Sequence, residues 1–249
     1  APRVLRGIEG KVGVADERRR RHPLPFGHGD ADRRADAHLL ALDRERPRLG
    51  LAVIGICHPD QVRHNAEARP GDVLILTKAI GVGVYSAAIK KGDLDGDGYA
   101  EMVASTTLLN RIGGELSGDP AVHAVTDVTG FGLLGHGLEM ARGSNLSLVI
   151  EASRVPLFKQ AAKFAQSGHI TGASGRNWAS YGEAIVLAEG MPQWQRDLLV
   201  DPQTSGGLLI SCAAEKAPAL LEKIRAAGYP AASIIGRAEA GPPVVRVTG

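Results

Sequence analysis

The sequence predicts an α/β fold, and three observations carry that reading. From about Leu49 onward, short β-rich apolar runs alternate with segments of helical apolar spacing. Turn-forming residues, Pro59 and Pro70-Gly71 among them, separate the runs. One stretch, His123 to Gly143, reads HAVTDVTGFGLLGHGLEMARG: a strand ending on an acid, a glycine-rich turn, and a helix closing at Arg142-Gly143. The chain has 249 residues, 44% of them hydrophobic, enough for one large or two small domains. No apolar run approaches the ~18 residues of a membrane span, so no membrane partner is expected. Residues 1–16 lack the apolar core of a secretory signal, which makes a cytoplasmic location the default.

Residues 1–48 are different material. They hold 12 Lys and Arg, 11 of them Arg, against 8 Asp and Glu, although the whole chain carries only +2. Arg18-Arg19-Arg20-Arg21 is followed by HPLPFGHGDADRRADAH, with little apolar periodicity and one aromatic, Phe26. Such a segment buries too little surface to offset its conformational entropy. A basic arm for nucleic acid is the functional alternative. Acids interleave the arginines, however, and no aromatics are placed to stack on bases, so no nucleic-acid partner is expected. The segment reads as an aberrant or disordered Arg-rich stretch, with the composition of a GC-rich gene translated out of frame.

The elements then follow in order. Gly50–Cys57 and Asp72–Thr77 are β-rich runs that look buried, and Val84–Lys91 suits a short helix. Gly98–Leu116 is the longest helical pattern, with Met102, Val103, Thr106, Leu109 and Ile112 on one face. Asp93, Asp95 and Asp97 before it resemble the start of a calcium loop, but the twelfth position is Ala104, where a bidentate Glu is needed. These acids are better read as favourable charges before a helix N-terminus. Leu146–Ile150 is a strand ending at Glu151, and Ser153 is expected to cap a helix over Val155–Gln166 that stops at Gly168. Gly172–Gly182 reads as a polar loop, with Arg176 and Asn177 placed to hold a phosphate or a peptide carbonyl. Gln195–Val200 leads into DPQTSGG (Asp201–Gly207) and the strand Leu208–Cys212. A helix over Ala213–Gly228 and strands at Ala232–Ile235 and Val244–Val247 close the chain. Cys57 and Cys212 lie in apolar runs and read as buried core thiols.

Two chemistries compete for the central stretch. Gly130, Gly132 and Gly135 fit G-x-G-x-x-G, and Glu151 falls 21 residues past Gly130, where a nicotinamide-cofactor fold places its ribose acid. Against this, the strand carries His123, Thr126 and Asp127, and a carboxylate beside the glycines repels a pyrophosphate unless a cation lies between them. Asp127 therefore favours metal and nucleotide chemistry.

TDVTGFGLLGH (Thr126–His136) together with DPQTSGGLL (Asp201–Leu209) resembles selenophosphate synthetase, the selenide, water dikinase family of the aminoimidazole-ribonucleotide-synthetase-like superfamily. GLAVIGICHPDQV, LTKAIGVGV, AIKKGDL, GRNWASYG and RDLLVDPQTSGG follow the family's order, so the resemblance covers about residues 49–249. It implies the superfamily's C-terminal domain, a mixed sheet with packed helices. It also implies a homodimeric enzyme that converts ATP, selenide and water to selenophosphate, AMP and phosphate with Mg²⁺. Asp127 stands where the family binds magnesium. The candidate ligand-binding residues are Thr126, Gly130, Gly132, Arg176, Asn177, Thr204 and Ser205. The family's glycine-rich Cys or selenocysteine segment, its Lys and its further magnesium acids are not found, so no catalytic residue is assigned and this chain is expected to be weak or inactive. The alternatives are a non-catalytic remnant domain and, more distantly, a dinucleotide-binding enzyme using Gly130–Gly135.

Overall fold

The computed structural model describes residues 62–249. The strand expected at Gly50–Cys57, Cys57 itself and the Arg-rich residues 1–48 lie outside the described residues. Seven strands form one sheet: β1 (Val73–Leu76), β2 (Val122–Asp127), β3 (Ser147–Glu151), β4 (Ile185–Val186), β5 (Leu208–Cys212), β6 (Ser233–Glu239) and β7 (Val245–Thr248). Their spatial order is β2-β5-β1-β6-β3-β7-β4. The first five are joined antiparallel, and β7 lies parallel to both β3 and β4, so the sheet is mixed.

Alternation along the strands divides the core in two. Leu74 and Leu76 of β1 pack on one face of the sheet and Ile75 on the other, as the two-residue period of a strand requires. The first face is covered by α4 (Gly132–Ser144), which contributes Leu133, Leu134, Leu138 and Met140. The second face is covered by α3 (Ile112–Leu116) and α8 (Ala217–Ala226), through Ile112, Leu116, Leu220 and Ile224. A satellite core joins α1 (Val82–Lys91), α5 (Ala161–Gln166) and α7 (Gln193–Leu199) around Tyr85, Phe158 and Phe164.

Several expectations need correction. The segment Gly98–Leu116 is two helices, α2 (Gly96–Thr107) and α3, broken at Leu108–Arg111. The break arises because side chains from elsewhere bond the carbonyls there: Lys78 Nζ donates to Ser105 O and Leu108 O, and Tyr229 donates to Leu109 O. Ser153 caps nothing: it lies in a 3-10 turn, Ala152–Arg154, and the helix starts only at Ala161. The polar segment Gly172–Gly182 is a helix, α6 (Gly172–Tyr181), whose N-cap Thr171 accepts from Ser174 N–H. Asp95, by contrast, caps α2 by accepting from Gly98 N–H at 2.8 Å.

The topology also removes the dinucleotide reading. A nicotinamide fold needs the strands before and after the glycine turn and its helix to be neighbours in one parallel sheet. Among the described residues β2 lies at one edge of the sheet, antiparallel to β5, and three strands, β5, β1 and β6, stand between it and β3. The Gly130–Gly135 pattern therefore does not begin a Rossmann unit.

Candidate functional site

Strands β2 and β5 bring the two unusual segments to one end of the sheet. Asp127 at the end of β2 pairs with Leu208 at the start of β5. Beyond that pair the loops stay bonded: Val128 N–H donates to Gly207 O at 2.8 Å and Gln203 N–H to Thr129 O at 2.9 Å. The approach needs glycine. A Cβ on Gly206 would stand 1.9 Å from Val128 O, and one on Gly207 would stand 2.6 Å from Lys78 N. Gly206 is thus laid directly against Val128, the residue after Asp127. A groove of about 610 Å³ opens here, lined by Asn110, Gly113, Ser117, Thr126, Asp127 and Leu208 together with Val62–Asn65, of which His64 O accepts from Val125 N–H of β2.

Asp127 is exposed, and among the described residues no side chain or N–H group bonds its carboxylate. Asp201 is its opposite, wholly buried. Its Oδ2 accepts from Gly83 N–H at 2.8 Å and Val84 N–H at 3.2 Å in the first turn of α1. Gln203 Oε1 completes the cap by accepting from Gly81 and Val82 N–H, and its amide donates back to Asp201. Two side chains thereby satisfy four N–H groups at a helix end that carries no cap of its own. Burial outweighs these bonds and pushes the Asp201 carboxyl up to about 7.

Two residues at this end of the sheet escaped the sequence reading. Lys78 is 3% exposed, and its ammonium donates to Leu108 O at 2.6 Å, Ser205 O at 2.8 Å and Ser105 O at 3.3 Å. Burial lowers its pKa. Three carbonyls match its three donors, so the cation ties turn 204–206 to the break between α2 and α3. Asn110 stands in that break; its Nδ2 donates to Gly206 O at 2.8 Å, while its buried Oδ1 has no partner among the described residues. The only sequence signal for Lys78 was a lone charge in the apolar run LTKAIGVGV.

The remaining candidates divide. Thr126 lines the groove; Thr204 and Ser205 are exposed on the 204–206 turn but are not among its lining residues, and Ser205 has a left-handed φ of 48°. Gly130 is open, but Gly132 (φ 69°) packs on the backbone of Val200, where a Cβ would meet the carbonyl carbon at 2.6 Å. Asn177 is buried and spends its amide on Gly130 O and Val200 O, clamping the two loops together. Arg176 is exposed on α6 and does not line the groove. Cys212 is buried, and burial pushes its thiol up to about 12, which leaves it inert as a nucleophile at neutral pH. Among the described residues no group of three or more His, Cys, Asp or Glu could hold a metal. Any cation at the groove would rest on Asp127, neutral oxygens and groups outside residues 62–249.

Residues 69–248 match the model of the AIR synthase related protein, C-terminal domain. A selenide, water dikinase of Rhizobium meliloti (strain 1021) is 62% identical over 207 residues, covering 83% of this chain and 59% of that protein. The selenide, water dikinase of Burkholderia orbicola (strain MC0-3) is 53% identical over 207 residues, covering 83% of this chain and 58% of that protein. The chain thus spans somewhat under three fifths of the length of these relatives. The fold is shared with solved structures of low identity. An E. coli hydrogenase maturation protein HypE matches at TM-score 0.54 and 18% identity, covering 75% of this chain and 49% of that one. Thiamine-monophosphate kinase from Stenotrophomonas maltophilia K279a matches at TM-score 0.51 and 21% identity, covering 76% of this chain and 54% of that one. Among the described residues no helix is long and apolar enough to cross a membrane.

Proposed function

We propose that this chain, which belongs to the AIR synthase related protein family through its C-terminal domain, carries the C-terminal part of a selenide, water dikinase. The reaction of the whole protein is ATP, selenide and water to selenophosphate, AMP and phosphate, carried out by a homodimer in the cytoplasm. The observation that carries the reading is the state of Asp127: an exposed carboxylate with no protein partner among the described residues, lining a groove to which both motif segments contribute, through Thr126 and Asp127 and through Leu208. A carboxylate that no protein group bonds is suited to hold a hard cation. Mg²⁺, when bound, neutralises charge on transferring phosphates.

In this reading Asp127 holds the metal, and Thr126, Thr204 and Ser205 offer hydroxyls to the nucleotide phosphates. Asn177 and Gly132 act by fixing the loops. The described residues supply no activated thiol, so selenide must be handled by groups outside them.

The test joins residues 49–249 behind the N-terminal part of the Rhizobium meliloti relative and measures AMP formed from ATP. The expected result is selenide-dependent AMP formation by the chimera, its loss in Asp127→Asn, and little or none by the 249-residue chain alone. A chimera that folds yet forms no AMP would identify this chain as a non-catalytic remnant.

A further inference from the structure

We propose that turn 204–207 binds a phosphoryl group through its backbone N–H groups; the inference rests on the function proposed above for the identity of the anion. The N–H groups of Thr204, Ser205, Gly206 and Gly207 donate to nothing among the described residues, although those on either side are spent, Gln203 N–H on Thr129 O and Leu208 N–H on Thr77 Oγ1. Three carbonyls of the same turn are taken. Ser205 O accepts from Lys78 Nζ, Gly206 O from Asn110 Nδ2 and Gly207 O from Val128 N–H, each at 2.8 Å. Here the acceptors are spent and the donors are not.

The pinned carbonyls decide where a donor points. No peptide among the described residues is cis, and in a planar trans peptide the N–H and C=O point in opposite directions. Ser205 O turns in to the buried Lys78 ammonium, so the Gly206 N–H of the same plane points away from it, and Thr204 and Ser205 beside it are exposed. Ser205 has the turn's one positive φ, 48°. Successive N–H groups about a left-handed residue form a concavity that holds anions. Lys78 adds a positive charge behind the turn, and its carbonyl partners carry no negative charge to cancel it. Unspent donors in front of a cation suit an oxyanion of the phosphate class rather than a metal ion. Val128, which bonds Gly207 O, follows Asp127 directly, so the anion site and the exposed carboxylate share one end of the sheet.

The test titrates the full chain, free of divalent metal, with inorganic phosphate and follows its amide groups by ¹⁵N–¹H NMR. The expected result is a saturable downfield shift of the Ser205 and Gly206 amide protons with one dissociation constant. Reading the shift residue by residue separates the turn from the arginines of residues 1–48, which attract phosphate on their own. A parallel titration with ATP assigns the source, since the ligand that shifts Gly206 at the lower concentration is the one the turn serves. Ser205→Gly and Ser205→Pro both lose the hydroxyl, so any consequence of that loss is shared. Glycine keeps the N–H and the positive φ, whereas proline removes the N–H and fixes φ near about −65°. Read at Gly206, Ser205→Pro is expected to bind phosphate about tenfold more weakly than Ser205→Gly. Equal affinities in the two variants, or a phosphate-dependent shift confined to residues outside the turn, would overturn the proposal. Asp127→Asn separates it from the metal reading: the metal-free shift is expected to persist in this variant. A shift at the turn that appears only with Mg²⁺ and vanishes in Asp127→Asn overturns the backbone site while leaving the reading of Asp127 standing.

Discussion

The segments Asp127–Gly132 and Asp201–Gly207 look alike as sequence. Each begins with an acid and runs through a Thr into glycines, and each flanks a strand. The structure gives their acids opposite work. Asp127 ends a strand at one edge of the described sheet and lines the groove, and its carboxylate is bonded by no group among the described residues. Asp201 is fully buried and bonded to the first turn of α1 and to Gln203. A motif acid is therefore not a ligand by virtue of its motif: the one whose oxygens are already spent holds the fold, and the one left unspent is available for chemistry.

The largest effect expected from this contrast is on stability. Asp201→Ala strands the Gly83 and Val84 N–H groups in the interior and should cost about 3 kcal/mol in urea unfolding, whereas Asp127→Ala should stay within about 0.5 kcal/mol. Glycines sharpen the same division. Gly206→Ala forces a Cβ onto Val128 O and should cost about 2–3 kcal/mol, while Gly130→Ala, with nothing within 4 Å of its added Cβ, should change the unfolding midpoint little. Lys78→Met leaves three carbonyls without their donor and should cost about 2 kcal/mol.

A smaller, pH-dependent effect belongs to Asp201 alone. Its folded pKa of about 7 lies above the ~3.9 of an unfolded Asp, so between those values the folded state binds the extra proton. Its stabilising contribution is complete below about pH 4, falls as pH rises toward 7, and is constant above that. Unfolding free energies measured from pH 4 to 8 should show this decline in the parent chain and lose it in Asp201→Asn. An Asp201→Asn chain with an unchanged slope would assign the titration elsewhere.

The sequence made some of this legible and hid the rest for identifiable reasons. Strand β1 was readable because it is apolar on both faces, and β2, its glycine turn and α4 because strand and helix periods switch cleanly within twenty residues. Helix α6 was hidden by Gly172, Ser174, Gly175 and Asn177, poor helix formers whose cost is offset by the Thr171 cap and by Asn177, Trp178 and Tyr181 meeting other segments. The break after α2 is imposed by Lys78, 30 residues distant from Leu108, and no local pattern records that bond. The dinucleotide reading failed on the same ground: its local spacing was right, and the antiparallel pairing of β2 with β5 is a long-range fact. At the site, Asp127 and the 204–206 turn were visible as motifs. Asn110 was not, because a single Asn at a helix break carries no signal until its amide is seen to be half satisfied.

The division of labour between the two acids is tested most directly by comparing Asp127→Asn and Asp201→Asn in the chimera described above, following urea unfolding and selenide-dependent AMP formation in the same preparations. The account predicts that Asp127→Asn keeps the parent's unfolding midpoint and loses AMP formation by a factor of about 100 or more, while Asp201→Asn shifts the midpoint down. An Asp127→Asn chimera that forms AMP at the parent's rate, or that unfolds as early as Asp201→Asn, would contradict it.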